Sequence, residues 1–126
     1  MIDLGTCITY DFDNKRKEYL GGNIAPGWKM RLDAMHKFTH TLPRVKASKP
    51  SGVLGKSTKE ALQNGAVLGI VGEIKAYIAT LETKYANINV ILTGGDGAFF
   101  AELIDYQIFV DPNFVLKGLN EILKSN

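Results

Sequence analysis

The sequence predicts an α/β domain with a mixed β-sheet, on three observations. Two short apolar runs end in glycine-bearing turns, Met1-Ile2-Asp3-Leu4-Gly5-Thr6 and Val90-Ile91-Leu92-Thr93-Gly94-Gly95-Asp96-Gly97. A hairpin pattern follows the first run, and a long helical pattern separates it from the second. The order is hairpin, helix, long helix, strand, helix, strand, helix.

Residues 1–10 read as a strand, with Ile2, Leu4, Ile8 and Tyr10 as its larger side chains. Asp11-Phe12-Asp13-Asn14 supplies turn chemistry, and residues 18–24 read as the returning strand. The paired glycines Gly21 and Gly22 mark a bulge or a close approach. Ala25-Pro26-Gly27 ends that strand and opens a helix, with Pro26 suited to the first turn. This helix is predicted to reach Phe38 and to turn Met30, Ala34, Met35 and Phe38 inward. Residues 39–56 carry Pro43, Pro50, Gly52 and Gly55 and read as loop.

Ser57-Thr58-Lys59-Glu60 is a capping-box pattern that starts a helix over 58–84. One stripe of that helix is small: Ala61, Gly65, Gly69, Gly72 and Ala76. Each glycine costs up to about 1 kcal/mol of helix propensity, so another backbone is expected to pack there. Residues 88–93 read as a strand buried on both faces, 98–104 as a short helix and 106–110 as a strand. Asp111-Pro112 is predicted to cap a last helix with Val115, Leu116, Leu119, Ile122 and Leu123 on its apolar face.

The chain has 126 residues, 45% hydrophobic and 22% charged, which is the size and composition of one globular domain. The net charge of +2 argues against nucleic-acid binding, which needs a clustered basic face. Lys15-Arg16-Lys17 reads as a solvated hairpin tip. No apolar run has the length of a membrane span, and no signal peptide precedes the first strand. Cys7 is the only cysteine, so no internal disulfide forms, which fits a reducing cytoplasm.

The two glycine turns are the chemically informative features. Each places backbone N–H groups, small residues and a carboxylate just beyond an apolar strand. A polyphosphate with its cation needs such a surface, because glycine lets the backbone come close to the oxygens. Asp3 reads equally as a cation ligand and as a turn-capping aspartate. Thr6 reads as a phosphate donor or as an ordinary strand residue. Gly94, Gly95 and Asp96 suit the ribose or phosphate end of a nucleotide, or a plain strand-to-helix turn with Asp96 as N-cap. Thr58 follows the capping Ser57, which leaves its hydroxyl for a ligand or simply for solvent. Gly52 to Ser57 is no P-loop: the glycines are too close and Pro50 stands where the first should be. His36 and His40 could share a helix face, but no third metal ligand accompanies them.

Six stretches carry a family resemblance: Asp3-Leu4-Gly5-Thr6, Leu20 to Gly27, Leu42-Pro43-Arg44-Val45, Gly55-Lys56-Ser57-Thr58, Leu92 to Asp96, and Leu116-Lys117-Gly118-Leu119. In this order and spacing they resemble the type III pantothenate kinases, of the actin-like (ribonuclease H-like) ATPase superfamily. The resemblance covers nearly all of this chain but only the second half of a family member. The family's first phosphate loop, Asp-x-Gly-Asn-Thr, and its Gly-x-Asp-Arg motif with the catalytic base do not occur here.

The resemblance implies an ATP-dependent transfer of phosphate to pantothenate, the first step toward coenzyme A. Asp3 would hold a monovalent cation, potassium or ammonium. Gly5, Thr6, Gly94 and Gly95 would bind ATP with its magnesium, and Thr58 would contact pantothenate. The chain would be the C-terminal domain of a two-domain kinase, with no catalytic residue of its own and inactive alone. Family members are homodimers, which offers the glycine stripe as a contact surface. A stand-alone nucleotide-binding or regulatory module of the same fold is the other reading.

Overall fold

A computed structural model describes residues 1–112. The helix expected after Asp111-Pro112, with the Leu116-Lys117-Gly118-Leu119 stretch, lies outside the described residues. The chain divides into two compact units, residues 1–25 with the segment from 89 onward, and residues 26–88.

The first unit holds a five-stranded sheet of order β3-β2-β1-β4-β5. Its strands are β1 (Ile2–Leu4), β2 (Cys7–Asp13), β3 (Tyr19–Pro26), β4 (Val90–Thr93) and β5 (Ile108–Val110). β1 runs antiparallel to β2 and parallel to β4, and β5 runs parallel to β4, so the sheet is mixed as predicted. Ile2, Leu4, Ile8, Tyr10, Val90, Leu92, Phe100 and Ile104 are its buried apolar residues.

Residues 1–10 are two strands rather than one. The chain reverses at Gly5-Thr6, where the Gly5 N–H donates to the Cys7 carbonyl at 3.1 Å. Leu4 then faces Ile8, and Ile2 faces Tyr10. This register keeps the even-numbered side chains on one face through the turn, so the alternation looks unbroken in the sequence. At the second reversal the Asn14 side chain accepts from the N–H groups of Arg16 and Glu18. Lys15, Arg16 and Lys17 are exposed at that tip, the solvated turn that was expected. Gly22 passes close to the Tyr10 carbonyl, the close approach its position suggested.

The second unit pairs helix α1 (Trp28–Lys37) with helix α2 (Thr58–Tyr85). Pro26 ends β3 and Gly27 is the N-cap of α1, so Pro26 does not enter the first helical turn. The inward face of α1 agrees with the prediction at Met35 but differs at Met30 and Phe38. Leu32 packs with Leu62 and Ala66 of α2, joined by Trp28, Met35, Leu42 and Val45, while Phe38 is 79% exposed and Met30 36%. Trp28, Leu32 and Met35 stand one and two turns apart, and their combined apolar area outweighs that of the face holding Met30 and Phe38.

α2 starts where its capping box places it. The Glu60 N–H donates to Ser57 Oγ at 3.1 Å, and the Glu60 carboxylate returns to the Lys56 N–H at 2.8 Å. Leu62, Ala66, Val67, Ile70, Val71, Ile74 and Ile78 are buried along one side of this helix. The glycine stripe lies on the other side. Among the described residues, nothing approaches within 4 Å of a Cβ built on Gly65 or Gly72, and Gly69 meets only the Arg31 guanidinium at 3.5 Å. The expected backbone against this stripe is therefore not supplied by the described residues. The helix buries its branched aliphatic side and leaves the small one outward. Arg31 donates to the Pro26 carbonyl at 2.9 Å and to the Glu73 carboxylate at 2.8 Å, bracing the two helices.

The segment between the helices has no regular structure, as predicted, but it is pinned. Buried Gln63 donates to the Lys46 carbonyl, and the buried Asn64 amide oxygen accepts from the Ser51 N–H, both at 2.9 Å. Gly55 lies so close to the first turn of α2 that an added Cβ would stand 2.7 Å from the Ala61 Cα. Only glycine permits that approach. The short helix α3 (Gly97–Ala101) begins one residue earlier than predicted and ends sooner.

Candidate functional site

β1 and β4 are adjacent parallel strands, and both end in a glycine turn at the same edge of the sheet. Asp3 is the register partner of Thr93. Ligands of open α/β sheets bind beyond the carboxyl ends of such strands. The two motifs that stand about ninety residues apart in sequence are thus neighbours in the first unit.

Gly94 fixes how closely they meet. Its φ of +88° is one that L side chains rarely adopt. A Cβ there would lie 2.6 Å from Asp3 Oδ1 and 2.6 Å from the Leu4 carbonyl oxygen. The turn is tied to β1 by the Asp96 N–H, which donates to that same carbonyl at 3.2 Å. The Gly97 N–H closes the turn on the Gly94 carbonyl, also at 3.2 Å. Gly95 is exposed, with open space where its side chain would be. Gly5 and Thr6 are exposed on the β1–β2 turn, and a Cβ on Gly5 would be 3.8 Å from Asp3 Oδ1.

The half-buried Asp3 carboxylate receives no hydrogen bond or ion pair from the described residues. Asp96 occupies the N-cap position of α3 but makes no capping hydrogen bond with its side chain. Burial raises its carboxyl above the ordinary value. The site therefore presents one unsatisfied carboxylate, a second carboxyl whose pKa burial raises, and exposed backbone at both turns. A hard cation and an anionic oxygen cluster would satisfy it together.

Thr58 stands in the second unit as the first residue of α2, and it is exposed. Ser57 does the capping, and the Thr58 hydroxyl makes no hydrogen bond among the described residues. Arg44, Lys46, Lys49, Lys56 and Lys59 are exposed along the same loop and helix start. His36 uses Nδ1 on the Leu42 carbonyl at 2.8 Å. No group of three or more His, Cys, Asp or Glu able to hold a metal occurs among the described residues. No helix among them is long and apolar enough to cross a membrane.

Sequence reasoning missed Thr93. A threonine closing an apolar strand looks like strand filler, and only its pairing with Asp3 distinguishes it. It also missed Gln63 and Asn64, whose helical positions gave no sign that they hold the preceding loop.

The mixed sheet, its strand order and the paired turns define an α/β protein of the actin-like ATPase class. Residues 1–80 match the family model of type III pantothenate kinase. A type III pantothenate kinase of Bacteroides fragilis is 48% identical over 126 residues, covering 100% of this chain and 52% of that protein. One from Flavobacterium psychrophilum is 40% identical over 122 residues, covering 97% and 51%. A crystal structure from Campylobacter jejuni, named for the Baf family of transcriptional activators, covers 99% of this chain and 56% of its own, at TM-score 0.64 and 27% identity. The chain belongs to the type III pantothenate kinase family, and it spans about half the length of the curated relatives it matches. That half is the C-terminal one.

Proposed function

We propose that this chain is the C-terminal domain of a type III pantothenate kinase, the enzyme that phosphorylates pantothenate with ATP on the way to coenzyme A. The observation that carries the reading is the approach of Gly94 to Asp3 at the carboxyl ends of β1 and β4. In this reading Gly5, Thr6, Gly94 and Gly95 grip the phosphates and ribose of ATP–magnesium. Asp3 holds potassium or ammonium beside them. Thr58 offers its free hydroxyl to pantothenate. Phosphoryl transfer depends on positioning and charge neutralisation, so a second phosphate grip and a base for the substrate hydroxyl are also required. Those belong to an N-terminal domain with the Asp-x-Gly-Asn-Thr and Gly-x-Asp-Arg motifs, which this sequence does not contain.

The test is complementation. The chain alone should not phosphorylate pantothenate. Fused behind the N-terminal half of the Bacteroides fragilis relative, it should, and Asp3→Asn should abolish the gain. Turnover by the isolated chain, or none by the fusion, would refute the reading.

A second reading is a regulatory module of the same fold without catalysis, acting in the cytoplasm. It draws on the name of the Campylobacter jejuni relative. An inactive fusion in which the chain still binds ATP would favour it. Association into a homodimer is expected under the first reading, with the open Gly65–Gly72 side of α2 as the surface to examine.

A further inference from the structure

Thr93 is 1% exposed, and its hydroxyl is a buried side-chain oxygen with no hydrogen-bond partner. Such an orphan destabilises the fold, because its lost hydration is not replaced. Valine has the same shape and would avoid that cost, so the hydroxyl needs a reason. Its position supplies one. Thr93 pairs with Asp3 on the neighbouring parallel strand. Register partners leave the sheet on the same face, with strands about 4.8 Å apart. The Asp3 carboxylate is itself left without a donor among the described residues. Two oxygen groups therefore stand side by side, and neither is satisfied.

A cation would satisfy both at once, through a carboxylate oxygen and a hydroxyl lone pair. One carboxylate with a neutral hydroxyl balances a single positive charge. A divalent ion would leave uncompensated charge in a largely buried place. We infer that Thr93 is a second protein ligand, beside Asp3, for a monovalent cation at the carboxyl ends of β1 and β4. The inference rests on the proposed role of Asp3 as cation holder and adds a residue to it.

The experiment uses the full chain as wild type, Thr93→Val, Thr93→Ser and Asp3→Asn. Melting is followed in potassium chloride and in choline chloride at equal ionic strength, and thallium(I) binding is read directly by NMR. Wild type and Thr93→Ser should melt higher in potassium and bind thallium. Thr93→Val should lose the potassium response, with cation affinity down by ~10-fold or more. In choline it should melt at or above the wild type, because the orphan hydroxyl is gone. Asp3→Asn should lose the response as well. Thr93→Val binding the ion like wild type would overturn the inference. So would a lower melting point for it in choline, or a wild type indifferent to potassium. The kinase reading is judged apart, by turnover of the fusion. An active fusion with a cation-competent Thr93→Val sinks only the role of Thr93, and an inactive fusion with a potassium-responsive wild type sinks only the kinase.

Discussion

A side chain at Gly94 would strike the carboxylate of Asp3: the added Cβ falls 2.6 Å from Oδ1. The same Cβ would meet the Leu4 carbonyl carbon at 2.7 Å. Neither the carboxylate nor the backbone of β1 can give way without disturbing the other. Absence of a side chain here sets the spacing of the site.

Gly94→Ala should therefore destabilise the chain by about 2 kcal/mol, from a left-handed φ and a backbone clash together. ATP affinity should fall with it, because Asp3 and the turn separate. Chemical denaturation and calorimetry with ATP–magnesium read the two effects. Wild-type stability in the alanine variant would contradict the geometry.

Ser57→Ala and Thr58→Ala should behave oppositely although they are adjacent. Loss of the Ser57 cap on Glu60 should cost about 1 kcal/mol. Thr58 is exposed and unbonded among the described residues, so its loss should stay within about 0.5 kcal/mol. In the active fusion, only the Thr58 change should raise KM for pantothenate markedly. A stability loss at Thr58 matching that at Ser57 would mean its hydroxyl is structural.

Gly65→Ala and Gly72→Ala should each stabilise the isolated chain by about 0.5–1 kcal/mol, since alanine favours helix and neither Cβ meets an atom. If a second copy covers this side of α2, the same changes should weaken self-association in sedimentation equilibrium. Destabilisation of the monomer would show that something within the chain already occupies the stripe.

Asp96 makes stability depend on pH. Its folded-state carboxyl is raised by burial, so folding favours the protonated form. That contribution is fully present below the carboxyl's unfolded value and is lost as pH rises through the folded one. Asp96→Asn should therefore be more stable than wild type at neutral pH, with the difference closing in acid. Melting curves from acid to neutral pH check this, and a difference that widened in acid would reverse the assignment.

Much of this was readable from residues alone. The α/β class, the capping box at Ser57 and the two glycine turns depend on local chemistry, which a sequence displays directly. The glycine turn at Gly5 was legible, but the reversal of the chain there into β2 was not, because an even-numbered apolar register survives it. The buried face of α1 was read correctly at Met35 but misread at Met30 and Phe38, which are as apolar as Trp28 and Leu32. Only the packing against Leu62 and Ala66 separates the two sets.

The sequence by itself determined that Asp3 and Gly94 each lie where an apolar run meets a glycine turn. Tertiary structure decided that they touch, that Thr93 stands beside Asp3, and that the glycine side of α2 is open. Those are relations between segments far apart in the chain. They follow from strand pairing and burial, which act through space and leave no pattern in the local order of residues.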